Sequence, residues 1–233
     1  MSISTSYWEA CGLRVSSSDE YIHFQSVDGM RLLSSGVHGG GLRPCRHVVN
    51  FKVSHDYDNP SPQQDLQDRL RRLGINGEDA TALMTAALLV DAGWFEVRQP
   101  EYDIFGCVTT GFANAARVTD DMYQPDRPGT INIIVVVNGS MTDDALVGTV
   151  ISVTEAKAAA LADLGVRSPS GSIATGTTTD ALVVASTGRS KETIAYAGLA
   201  TQFGRDVSRA VYGAICESGR RYLARVKADV GVL

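Results

Sequence analysis

The chain has 233 residues, 44% hydrophobic and 20% charged, which suits a globular protein with room for one sizeable domain. Its net charge of -5 and pI of about 5.3 argue against a nucleic-acid binder, which carries a basic face, and against docking on an anionic membrane surface. The opening MSISTSYWEACG lacks the basic-then-apolar pattern of a secretory signal, and no stretch is expected to reach the roughly 20 apolar residues of a membrane span.

The first fifty residues read as short strands at 21–24, 30–34 and 47–53. A Pro-rich loop, 56–64, leads to a short polar helix at 64–73. The Ala- and Leu-rich stretch 81–92 predicts a helix, and 104–110 a strand. A second loop covers 120–129. INIIVVV at 131–137 is the clearest strand: β-branched, with little polar alternation, so buried on both faces. A long helix follows at 142–164, capped by Thr142 and with Asp143 and Asp144 at its positive end. A third loop, 167–179, precedes a buried strand at 181–186, and a final helix runs over 202–227. This order predicts an α+β fold: one domain, 1–233, with a mixed buried sheet covered by helices, for which an α–β–β–α layering is one arrangement.

Four polar clusters sit at the edges of these apolar elements, where sites are commonly built. In TTGFANAAR, Asn114 either caps a following turn or points back over the strand end. In GTIN, Asn132 shares a strand face with Ile134 and Val136 and must find partners in backbone, side chain or ligand, since an unpaired buried amide costs roughly 1–3 kcal/mol. In TEAK, Lys157 lies on the apolar stripe of the long helix, paired or snorkelling past the core. Glu155 is turned about 200° from it, so the two cannot share one site unless Thr154 caps a new segment there. In ATGTTTD, four hydroxyls, a glycine and Asp180 form either a ligand loop or an ordinary turn with Asp180 bonding its own backbone.

Other patterns point away from familiar hydrolases. HGGG at 38–41 resembles a lipase oxyanion loop, but no G-x-S-x-G elbow accompanies it, and a close-approach loop is the better reading. His23, His38, His47 and His55 show no H-E-x-x-H spacing, and Cys11, Cys45, Cys107 and Cys216 contain no C-x-x-C pair, so no metal site is assigned. A reduced, cytoplasmic chain with buried thiols is the expectation.

Taken in order, TALMTAA (81–87), TTGFANA (109–115), GTINIIVVVNGSMTDDALV (129–147), TEAKAAAL (154–161), ATGTTTDALVVAS (174–186) and AYAGLATQFGRDVSRAVYGAI (195–215) resemble the adenosylcobinamide amidohydrolase family, CbiZ. The resemblance covers about residues 30–215. It implies hydrolysis of the aminopropanol amide of adenosylcobinamide to adenosylcobyric acid, in cobamide salvage. The cobalt corrinoid is then the substrate and partner, and no cofactor is implied.

Under that resemblance, Glu155 or Asp180 serves as general base for an attacking water, with Lys157 stabilising charge or orienting the carboxylate. Asn114, Asn132, Thr130, Thr154, Thr175, Gly176 and Thr177 bind the substrate amide. A second mechanism uses Thr130, Thr177 or Cys107 as nucleophile. A non-catalytic corrinoid-binding or carrier protein, or an amidase for another small amide, are the alternatives, and a homo-oligomer is left open.

Overall fold

Strand β8 (Ile131–Asn138) is the spine of the computed structural model, which describes residues 5–121, 129–190 and 192–230. Around it the order is α1 (Thr5–Ala10), β1 (Leu13–Ser17), β2 (Tyr21–Ser34), β3 (Gly41–Lys52), α2 (Pro62–Arg72), β4 (Ala80–Thr85), β5 (Gly93–Arg98), β6 (Asp103–Thr110) and β7 (Ala115–Ala116). After β8 come β9 (Ser140–Met141), α3 (Asp143–Asp163), β10 (Gly176–Thr177), β11 (Ala181–Ser186), β12 (Thr193–Ile194) and α4 (Gln202–Val230). The large sheet runs β4-β3-β2-β11-β8-β6-β5, with β1 beside β2. The β8–β11 and β3–β4 pairs are parallel, and the other pairs of the large sheet are antiparallel. The fold is therefore α+β with a mixed sheet.

The INIIVVV run is buried from Ile131 to Val137, as its lack of alternation requires. Ile133, Val135 and Val137 meet the helices, while Ile134 and Val136 face an inner core. The sheet folds over on itself to make that core. Phe24 of β2 lies 5.5 Å from Phe105 of β6 and 6.0 Å from Trp94 of β5, although β11 and β8 intervene in the sheet. Such aromatic pairs add roughly 0.5–1.5 kcal/mol each beyond area burial. The bend falls in β2, whose register with β3 shifts between Gln25 and Met30 and where Gly29 has φ +90°. The sequence reads as two strands there because this bulge imitates a turn.

Helices close both outer faces. On one, Leu146, Val153 and Leu161 of α3 and Val207, Val211 and Ile215 of α4 pack on β8, β6 and β11; full burial of such side chains contributes about 1.5–3 kcal/mol apiece. On the other, Leu66 and Leu70 of α2 cover Val49 and Phe51 of β3 and Ala80 and Ala82 of β4. The result is an α–β–β–α layering. Thr142 caps α3, accepting a hydrogen bond from the Ala145 N–H at 3.1 Å. Contrary to the expectation for the chain, α3 has a membrane span's length and apolarity, with mean hydropathy 1.4. Its buried face instead packs on α4 and the sheet.

The predicted helix at 81–92 is a strand and a turn. Ala80–Thr85 forms β4, parallel to β3, and Leu89–Asp91 makes one 3-10 turn. Ala and Leu favour a helix locally, but Ala82 faces α2 while Leu83 faces the inner core, so burial on both sides of a strand outweighs propensity. The glycine loop at 38–41 seals the free edge of β4: His38 and Ala82 exchange backbone hydrogen bonds of 3.3 and 2.9 Å. At Gly39, with φ +65°, an added Cβ would lie 2.2 Å from the Ala80 carbonyl oxygen. Most of the expected loop 120–129 lies outside the described residues.

Candidate active site

The C-terminal ends of β3, β4 and β6 meet the N-terminal ends of β8 and β11 around a cavity of about 650 Å³. Three of the four polar clusters converge here. Asn114 follows β6, Gly129 and Thr130 precede β8, and Thr178 and Thr179 precede β11. The opposite wall is the segment after β3, with Ser54, His55 and Asp56. What aligns the first and last clusters is the short β7–β10 pair, in which Gly176 faces Ala116 and Thr177 faces Ala115. That register puts Asn114 beside Thr178, whose N–H donates to the Asn114 carbonyl at 3.3 Å.

Asn114 is 6% exposed. No helix follows it; its side chain points over the strand end, where Nδ2 donates to Thr178 Oγ1 at 2.7 Å and to Thr179 Oγ1 at 3.3 Å. Thr179 in turn donates to the Gly129 carbonyl at 2.6 Å. Asn114 Oδ1 is buried without a partner among the described residues. It sits against Gly129, where an added Cβ would approach it to 2.3 Å, so this position accepts only glycine.

Asn132 is placed differently. It is 1% exposed, and Nδ2 donates to Asn50 Oδ1 at 2.8 Å and to the Met84 carbonyl at 2.7 Å. Asn50 then donates to Thr109 Oγ1 at 3.1 Å. Thr130 shares its proton between the Thr179 carbonyl, at 2.7 Å, and Asn132 Oδ1, at 3.1 Å. This seam joins β3 and β4 to β6 and β8 across the inner core, and each polar group in it has a protein partner. Asn132 thus has no donor left for a substrate.

Lys157 is paired rather than snorkelling: Nζ lies 2.5 Å from Asp180 Oδ2, with 13% and 16% of the two side chains exposed. Asp180 also accepts from the Ile131 N–H at 3.1 Å, the Thr177 N–H at 3.1 Å and the Thr177 hydroxyl at 2.5 Å. These donors fill the carboxylate, which leaves no site for a water to activate. The pair holds the threonine loop against the start of β8. Gly176 is required beneath it, since a Cβ would lie 2.5 Å from Asp180 Oδ2 and 3.1 Å from Lys157 Nζ.

Glu155 lies exposed on α3, whereas Thr154, also exposed, lines a small cavity of about 170 Å³ together with Lys157 and Asp180. The helix is unbroken there, and Thr154 merely donates back to the Val150 carbonyl at 2.7 Å. Thr175 accepts from the Val118 N–H at 3.1 Å, outside the cavity. The proposed nucleophiles are also committed. Thr130 and Thr177 donate as described, and Cys107 is 1% exposed with its thiol pushed well above the usual range by burial.

Sequence reasoning did not single out Thr178, Thr179, His55 or Asp56. Thr178 and Thr179 sit in the turn after β10 and both line the cavity, whereas Thr175 and Thr177 do not, so strand alternation along ATGTTTD does not sort them. His55 and Asp56 carry no spacing signal; only the fold brings them opposite Asn114. The Ser54 hydroxyl bonds to Asp56 and holds its exposed carboxyl below the usual carboxylate range.

A family model described as adenosylcobinamide amidohydrolase, CbiZ, matches residues 9–227. The chain is 29% identical over 187 residues to an adenosylcobinamide amidohydrolase of Methanosarcina mazei, covering 77% of this chain and 84% of that one. It is 32% identical over 194 residues to an adenosylcobinamide amidohydrolase of Halobacterium salinarum, covering 77% and 75%. An uncharacterized protein of Methanocaldococcus jannaschii is 27% identical over 201 residues, covering 76% and 78%. A match across nearly the whole fold, from α1 to the last turns of α4, means that this chain belongs to the adenosylcobinamide amidohydrolase family.

Proposed function

We propose that the chain hydrolyses the aminopropanol amide of adenosylcobinamide, releasing adenosylcobyric acid for corrinoid salvage in the cytoplasm. Family membership supports the reaction class. The observation that carries the site assignment is the convergence of the Asn114, Gly129–Thr130 and Thr178–Thr179 clusters on one cavity. Its volume of about 650 Å³ suits a ligand of moderate size and is smaller than a whole corrinoid. The aminopropanol arm enters it, and the cobalt macrocycle, part of the substrate, stays at the mouth. All four cysteines are free thiols, which suits a reducing compartment.

Water attacks the amide carbonyl carbon, and His55 accepts its proton as general base. The carbon–nitrogen bond breaks, and that proton leaves with the amine. Asp56 places a carboxylate on the same wall, held below the usual range by the Ser54 hydroxyl. Lys157 and Asp180 act at a distance by fixing the threonine loop. The test is incubation of purified protein with adenosylcobinamide while both products are followed by mass spectrometry. Equimolar adenosylcobyric acid and aminopropanol are expected; tight binding of the corrinoid with neither product identifies a carrier instead.

A further inference from the structure

The hydroxyls of the threonine loop differ in what their protons are doing. Thr177 donates to Asp180 at 2.5 Å, and Thr179 donates to the Gly129 carbonyl at 2.6 Å. Thr178 only accepts, from Asn114 Nδ2 at 2.7 Å. Among the described residues its own proton has no acceptor, and its side chain is exposed on the cavity wall. Thr85, another wall hydroxyl, accepts from the Ala87 N–H at 3.1 Å but is itself 1% exposed.

The neighbours decide which way the Asn114 amide points. Because Thr179 has committed its proton to Gly129, it offers Asn114 only a lone pair at 3.3 Å. The reverse orientation would set Asn114 Oδ1 against that lone pair. Nδ2 therefore faces both threonines, and Thr178 Oγ1 must accept. A hydroxyl that accepts an N–H bond becomes a stronger donor and a weaker nucleophile. Burial of Asn114 keeps this polarity fixed.

We infer that the Thr178 hydroxyl is the oxyanion donor of this site, with Asn114 as the residue that positions and polarises it. The inference rests on the amide-hydrolysis reading. As water oxygen bonds to the carbonyl carbon, the carbonyl π electrons move onto oxygen, and the Thr178 proton hydrogen-bonds that developing charge without being transferred. Collapse of the tetrahedral species restores the carbonyl and expels the aminopropanol nitrogen. The step consumes one water and needs no covalent enzyme intermediate.

The polarity gives a test that separates donor from nucleophile. Steady-state kinetics on adenosylcobinamide are measured for wild type, Thr178→Val, Thr178→Ser and Asn114→Asp, with thermal melts as the folding control. Thr178→Val is expected to lower kcat about 10²–10³-fold, the usual cost of one oxyanion donor, while KM changes less than about 3-fold. Thr178→Ser keeps the proton and restores most of kcat. Asn114→Asp replaces a donor with an acceptor, captures the Thr178 proton and lowers kcat as valine does; for a nucleophile it would help instead. Retention of kcat within about 3-fold by folded Thr178→Val overturns the assignment, as does a corrinoid ester trapped on Thr178 by acid quench and mass spectrometry. Active wild type with unimpaired Thr178→Val removes only the role of Thr178, whereas wild type that releases no aminopropanol removes the hydrolysis reading with it.

Discussion

Two asparagines at neighbouring strand ends have opposite roles. Asn132 spends both amide protons on Asn50 and Met84, and its oxygen faces Thr130. It closes the seam between the two halves of the sheet. Asn114, about as deeply buried, leaves its oxygen without a partner and directs its protons to two threonines on the cavity wall. A saturated polar group in a core specifies how layers join; Asn114 instead sets the polarity of two hydroxyls on the cavity wall. Burial alone does not separate them, but accounting for each proton does.

The largest expected effect that tests this contrast is on stability. Asn132→Ala leaves the Asn50 oxygen and the Met84 carbonyl without their donor, each costing roughly 1–3 kcal/mol. A loss of about 3–5 kcal/mol in urea unfolding is therefore expected, with kcat per folded molecule within about 3-fold of wild type. Asn114→Ala should do the reverse, costing about 1 kcal/mol while depressing turnover more than 10-fold. If the two variants behave alike, the distinction between seam and rim is lost.

Next is the Lys157–Asp180 pair. Lys157→Met removes a mostly buried partner and is expected to cost about 2 kcal/mol, less than the roughly 3–5 kcal/mol for a fully buried pair. Turnover should follow the folded fraction. A folded Lys157→Met protein with kcat down more than about 100-fold would return Lys157 to the chemistry.

A comparable effect is predicted with pH, far from the cavity. His23 Nε2 and His47 Nδ1 lie 2.9 Å apart across β2 and β3. Burial, with His47 adding to it, lowers the His23 pKa from 6.5 to about 4. Burial also lowers that of His47, against the pull of Asp79 and with Arg46 adding to the lowering. Between about pH 6.5 and 4 the unfolded chain binds more protons than the folded one, so stability rises with pH and is lost on acidification. The loss should be on the order of 2 kcal/mol by pH 4, and His23→Gln should flatten it in melts across that range. The smallest effect is expected for Glu155→Gln, on the exposed side of α3, with kcat within 2-fold and stability within about 0.5 kcal/mol. A large drop in turnover there would show that α3 contributes to a site from its outer face.

Local patterns carried much of this in the sequence. The unbroken apolar run 131–137 announced a strand buried on both faces, Thr142 announced the start of α3, and the 100° turn per residue separated Glu155 from Lys157. Helix propensity misled at 81–92, because Ala82 and Leu83 are buried by different layers, which no local pattern encodes. Cluster positions were legible, but roles within them were not. Asp180 looked like a base until its four donors were counted, and that Thr178 and Thr179 line the cavity while Thr175 and Thr177 do not follows from the β7–β10 pairing and the turn after it.

By itself the sequence determined the family, the α+β class and the segments that carry polar chemistry, because period, capping and motif order are properties of neighbours along the chain. Only the tertiary structure decided which groups keep a free valence. Asn114 and Thr178 are 64 residues apart, and Asn132 and Asn50 are 82 apart. Whether a buried amide is saturated depends on partners that distant strands deliver. One asparagine joins the layers and the other orients a hydroxyl for that reason.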